Sequence, residues 1–181
     1  MMHPFRFAGL LVVALSMAGA IDSQNTPTAV VSTYCRLDGE GAAYSSRQPQ
    51  TKAFNLLQVN PVEAAWDEST VVKDYEILGV RRKQNSAKVH VLYHVLGTIS
   101  SDLTVEPSRS DEKVTFNVLR ISGQWKIDHS ELEPHITKSG ILAILNAERA
   151  DAARQAQATK NAETKEVLTK IEAAIREIET W

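Results

Sequence analysis

The side chains best placed for proton transfer in this chain are its five histidines, whose ordinary pKa lies near neutrality. His90 and His94 fall on one face of an alternating, strand-like stretch. Four residues of strand put them roughly 13 Å apart, too far to hold one metal ion together. His94 lies between Leu92 and Leu96 and reads as a hydrogen-bonded core histidine. His129 and His135 bracket Glu131 and Glu133, but no regular ligand spacing recurs and a solvated connection is expected. Cys35 is the only cysteine, so no intrachain disulfide can form, and without a histidine signalled beside it a nucleophilic role is not expected.

A second kind of chemistry is recognition. The aromatics Tyr34, Trp66, Tyr75, Tyr93 and Trp125 could line a pocket for an apolar or ring-shaped ligand, with tyrosine hydroxyls supplying oriented hydrogen bonds, or they could fill the interior. Asp67 and Asp74 are the carboxylates closest to this set, although neither has a sequence-local partner that would raise its pKa. Phosphate-cradling glycine loops, a Gly-x-Ser-x-Gly elbow, paired-cysteine knuckles and His-Glu-x-x-His are all missing. No metal and no cofactor is therefore expected, and no catalytic residue can be assigned.

These groups must be positioned by a small set of elements. Thr26 is a good N-cap and Pro27 fits the first turn of a helix carrying Val30, Tyr34 and Leu37 on one face. A loop around Ser45 to Gln50 follows, then a short apolar stretch (Phe54, Leu56, Leu57, Val59) and Val62 to Trp66, which could make a further helical turn. From Ser69 the apolar period changes to two. Val71, Tyr75 and Ile77 share one strand face as far as Gly79; Lys88 to Gly97 is apolar on both faces and reads as a central strand. A polar loop is expected around Pro107 to Asp111, then strands over Val114 to Leu119 and Gln124 to Asp128 joined at Ser122-Gly123. Short turns between strands predict a mostly antiparallel sheet.

Pro134 is expected to open a helical stretch containing Ile141, Leu142 and Leu145. Residues 147–181 lack Gly and Pro, have strong helix composition, and would span roughly 50 Å as one unbroken helix. Val167, Ile171, Ala174, Ile178 and Trp181 form a narrow stripe along it, suited either to lie beside its own domain or to serve as a coiled-coil seam for a partner helix, as in a homodimer.

The chain's 20 Lys+Arg against 22 Asp+Glu leave no basic stripe, which argues against nucleic acid. Arg6, the apolar run Phe7 to Met17 and Ala18-Gly19-Ala20 read as a signal peptide over residues 1–20, too short to span a bilayer. A periplasmic or secreted protein is expected, with no membrane span after cleavage.

An opening helix containing Tyr34, the strands Asp74-Tyr75-Glu76-Ile77 and Val91-Leu92-Tyr93-His94-Val95, and a closing Gly123-Gln124-Trp125-Lys126-Ile127 resemble the nuclear transport factor 2-like superfamily, the cystatin-like α+β cone, over residues 26–146. The resemblance implies an α+β cone, a curved mostly antiparallel sheet covered by N-terminal helices, with residues 147–181 as a C-terminal helical extension. It also implies a pocket between helices and sheet, for which Tyr34, Trp66, Asp67, Tyr75, Tyr93 and His94 are the candidate lining. Members include enzymes and binding modules, so fold does not select function. The expectation is an exported binding or scaffold module for a small apolar molecule or a protein. The alternative is a small cofactor-independent acid/base enzyme, a lyase or isomerase, using the same pocket.

Overall fold

The computed structural model describes residues 25–44, 52–58, 67–128, 133–159 and 162–181. The expected leader, Trp66, His129 and Glu131 lie outside the described residues. Helix α1 (Pro27–Gly39) starts as anticipated: the Thr26 hydroxyl accepts a hydrogen bond from the Ala29 N–H at 3.1 Å, and Pro27 occupies the first turn. A 3₁₀ turn (Ala42–Tyr44) follows, and residues 52–58 run along the sheet edge, where Leu57 bridges Ile127.

Five strands make one curled, mixed sheet: β1 (Glu68–Arg82), β2 (Ser86–Ser100), β3 (Val105–Ile121), β4 (Gln124–Ile127) and β5 (His135–Thr137), in the order β4-β3-β2-β1-β5. All neighbours are antiparallel except β1 and β5, so the fold is an α+β half-barrel consistent with a cone. The curl has a local cause. Register shifts interrupt β1 against β2 after Val71, Val72 and Ile77, and β2 against β3 after Val95; such bulges bend and overtwist a sheet.

Three sequence expectations are corrected by this sheet. Residues 107–111 are strand, because β3 extends to Val105 and pairs with the far half of β2. Pro107, which has no N–H to give, sits opposite Gly97 beside the bulge where the ladder is already interrupted. Pro134 leads into β5 before any helix begins. The two faces of β2 are also unequal: Val89, Val91, Tyr93 and Val95 are buried, whereas His90, Leu92, His94 and Leu96 are only partly covered. The hairpin at Ser122-Gly123 is as expected. Both residues have positive φ, 49° and 85°, the left-handed geometry that matches strand twist.

The C-terminal residues form two helices, α2 (Lys138–Thr159) and α3 (Ala162–Glu179). The expected boundary at Asn146/Ala147 falls inside α2. Thr137 accepts from the Gly140 N–H at the start of α2, and Lys138 Nζ donates to the Glu179 and Trp181 carbonyls, which brings the beginning of α2 against the end of α3. The two helices therefore run antiparallel. Ile171, Ala174 and Ile178 of the narrow stripe, together with Ile175, are buried against α2 and the sheet, while Val167 stays exposed. The stripe serves this chain's own core.

Two apolar clusters divide the sheet. The first joins Val30, Val31, Tyr34 and Cys35 of α1 to Val72, Val89, Val91, Tyr93, Phe116, Val118, Trp125 and Ile127. The second joins Val71, Ile99 and Ile136 to Ile141 and Leu145 of α2 and to the buried face of α3. Burying each such side chain contributes about 1.5–3 kcal/mol, which is what replaces the disulfides this chain lacks.

Candidate functional site

Beneath α1 the half-barrel holds a chain of polar groups set among aromatic rings. Asp38, in the last turn of α1, is 4% exposed, and its carboxylate accepts a hydrogen bond from the His135 backbone N–H at 2.9 Å. Burial pushes the acid up to about 7, against which that backbone N–H pulls only part of the way down. The His135 ring stacks on Tyr93 with centroids 4.0 Å apart, and its Nε2 lies 3.2 Å from Glu112 Oε2. His135 Nδ1 is buried and has no hydrogen-bond partner among the described residues.

The Tyr93 hydroxyl donates to Cys35 Sγ at 3.1 Å. Burial pushes the Cys35 thiol up to about 12 although this hydrogen bond pulls it down, so the fold favours the thiol over the thiolate. The phenols of Tyr34 and Tyr93 are likewise raised, chiefly by burial. Tyr34 meets Phe116 edge to face at 5.8 Å, and Tyr75 donates to the Ser32 carbonyl at 3.0 Å. These rings pack on one another and hold their hydroxyls in fixed directions.

The candidate residues are thus only partly brought together. Tyr34, Tyr75 and Tyr93 share the interior under α1. Asp74 and His94 lie on the outer face of the sheet, where His94 Nδ1 is 2.8 Å from Asp111 Oδ1 and His94 Nε2 is 3.7 Å from Asp74 Oδ1. That exposed trio borders an open groove with Lys73 and Arg109. His94 is therefore a surface group, not a core histidine. Even alternation puts it on the face opposite Tyr93, where its side chain is 39% exposed. Asp67 is exposed just before β1, its carbonyl accepting from the Ser101 N–H at 2.8 Å.

A second site lies at the other end of the sheet, between the 3₁₀ turn, the β2–β3 loop and α2. It is a cleft of about 210 Å³ lined by Tyr44, Ser69, Ile99, Ser100, Ser101, Leu103, Ile141, Ile144, Leu145 and Glu148. The Tyr44 and Ser69 hydroxyls are hydrogen-bonded to each other on its wall. The β2–β3 loop that forms its rim is held by Asp102, whose carboxylate accepts from the Ser100 hydroxyl and the Thr104 N–H and is thereby lowered to about 2. Burial raises both Tyr44 and Glu148 above their ordinary values.

Sequence reasoning passed over Asp38, Glu112, Tyr44, Ser69 and Glu148, and it placed His135 in a solvated connection, whereas His135 is 3% exposed and stacks on Tyr93. Two of these carried a readable signal. Asp38 follows Tyr34 by four residues and Cys35 by three, an acid on an apolar helix face, and Glu148 continues the Ile141, Leu145 stripe by three. The others are joined only by tertiary pairing. Among the described residues no three His, Cys, Asp or Glu side chains converge as a metal site. Compared with known proteins, the chain matches no family model and no curated protein.

Proposed function

We propose that this chain is an exported, non-catalytic binding module whose ligand is a small apolar molecule held in the cleft between α2 and the β2–β3 loop. The observation that carries the reading is the composition of that cleft: an aliphatic floor of Ile99, Leu103, Ile141, Ile144 and Leu145, with a few polar groups converging on it. Concave apolar surface with a few oriented polar groups is the form of a small-ligand site. The volume lies below the roughly 300–1,000 Å³ of drug-sized sites and suits a single ring. The leader-like residues 1–20 support export, and the opening helix with a curled, mostly antiparallel sheet supports kinship with the nuclear transport factor 2-like superfamily as part of the same proposal. Titration with indole should shift the methyl NMR signals of Ile99, Ile141 and Leu145. Ser101→Trp at the exposed rim should block that response while leaving the fold intact. Shifts spread evenly over the protein, or none at millimolar indole, would reject the cleft.

A second reading, acid/base catalysis under α1, is favoured by one observation: Asp38 carries a pKa near neutrality beside a histidine whose Nδ1 has no partner among the described residues. It requires that a small carbonyl compound enter. Adding 2-cyclohexenone should then move the ¹³C signal of the Asp38 carboxyl, and a carboxyl blind to the probe would end this reading.

A further inference from the structure

The cleft has an electrostatic imbalance that narrows its ligand. Its lining includes the carboxyl of Glu148 and no Lys, Arg or His. Glu148 is raised by burial alone, with no neighbouring cation contributing. The raised Tyr44 feels the same uncompensated charge, since Asp38 and Glu148 both add to the effect of burial on its phenol. Glu148 itself is exposed, and its carboxylate stands at the edge of the aliphatic floor with no cation in the lining to balance it. The site is therefore incomplete in charge though complete in shape.

We propose that the ligand of this cleft is a small primary amine with a compact aromatic or branched aliphatic body. Its ammonium sits against the Glu148 carboxylate and the hydroxyl oxygens of Tyr44 or Ser69, and its body lies on Ile99, Ile141 and Leu145. This rests on the reading of the cleft as a ligand site. An ammonium offers three donors, and the wall supplies one anionic and two hydroxyl acceptors. The charged end lies at α2, near solvent, and the body lies toward the sheet, so the ligand need not bury its charge completely. Anionic ligands of the same shape are excluded by the same carboxylate. A fatty acyl chain or a fused polycycle exceeds the volume.

The test compares two probes of nearly identical shape, benzylamine and benzyl alcohol, by methyl NMR titration of the whole chain at neutral pH. Benzylamine is expected to bind roughly five- to tenfold more tightly, the range for a half-exposed charge pair with hydrogen bonds. In Glu148→Gln, an exposed substitution on α2, the preference for benzylamine should vanish, the two probes then binding alike; Tyr44→Phe should reduce it in part. Equal binding of both probes to the unaltered chain overturns the amine proposal and leaves the apolar cleft standing. Binding of neither, at concentrations up to tens of millimolar, overturns the cleft reading itself. A preference for benzylamine that survives in Glu148→Gln locates the ammonium elsewhere and equally rejects the proposal.

Discussion

The two halves of the interior are built on opposite plans. Under α1 the core sets the rings of Tyr34, Tyr93, Phe116 and Trp125 among valines, and polar groups are buried with them: Asp38, Cys35 and His135 are enclosed there. Under α2 and α3 the core is mainly aliphatic, a set of Ile, Leu, Val and Ala with the Trp181 ring packed against it, the ring Nε1 being buried without a hydrogen-bond partner among the described residues. The contrast follows from geometry. Rings with polar tips can fill a curled sheet and satisfy its hydrogen bonds at once, whereas a helix pair laid over a sheet edge meets it along a seam that branched side chains do not close.

Both halves should nevertheless be needed for folding, and the largest expected effects test that. Phe116→Ala in the first core should cost about 3–5 kcal/mol and Ile178→Ala in the second about 2–5 kcal/mol, read by urea denaturation. A loss below about 0.5 kcal/mol for Ile178→Ala would show that α3 is an appendage and that the second core does not support the fold. The two losses should also appear in one cooperative transition, since β1 contributes Val71 to one cluster and Val72 to the other.

Asp38 sharpens the contrast, because the aromatic half alone buries an acid. Its folded pKa, about 7, lies above the ordinary carboxylate value, so folding favours the protonated form. The associated stability is fully present below about pH 4 and is lost as pH rises toward 7. Asp38→Asn keeps an oxygen to accept from the His135 N–H and removes the ionisation. The variant should be more stable than the parent at pH 8, by at most about 4 kcal/mol, and the two should converge near pH 4. A parent whose stability does not fall between pH 4 and 7 would contradict this account.

The aliphatic half has its own tightly packed point. A Cβ on Gly97 would lie 2.4 Å from the Glu106 carbonyl oxygen and 2.6 Å from Cη2 of Trp181. Gly97→Ala should therefore cost about 1–3 kcal/mol. In the double variant with Trp181→Ala the ring clash disappears but the backbone clash with Glu106 remains, so the rescue should be partial. Full recovery would mean that β3 yields and that the Trp181 contact alone decides the site.

How much of this was legible depended on whether a residue's role is set by local pattern. The start of α1 at Thr26-Pro27, the Ser122-Gly123 hairpin and the alternation of Val89, Val91, Tyr93 and Val95 are local facts, and the structure follows them. The strand through residues 107–111 was invisible. Its residues are polar on both faces, and only pairing with β2 makes them a strand. The tail was read as a narrow stripe because Ile175 lies beside that line and the opposing helix face, Ile141 and Leu145, begins 30 residues before Ile171. The interior site depended on the same kind of closure: His135 and Glu112 are 23 residues apart and belong to strands that meet only because the sheet curls.

The smallest expected effect concerns the candidate histidine that belongs to neither half. His94 stands on the outer face between Asp74 and Asp111, half exposed, with carboxylates that are themselves more than half exposed. Exposed pairs of this kind contribute between zero and about 1 kcal/mol and weaken with salt. His94→Gln should change stability by less than about 0.5 kcal/mol and leave the indole response of the cleft untouched. The neighbouring buried residue gives the scale: Tyr93→Phe keeps the ring but removes the donor to Cys35, which should cost about 0.5–1.5 kcal/mol. If His94→Gln proved the more damaging of the two, the outer face would be an organised surface in its own right, and the division of this molecule into two cores and an open exterior would have to be redrawn.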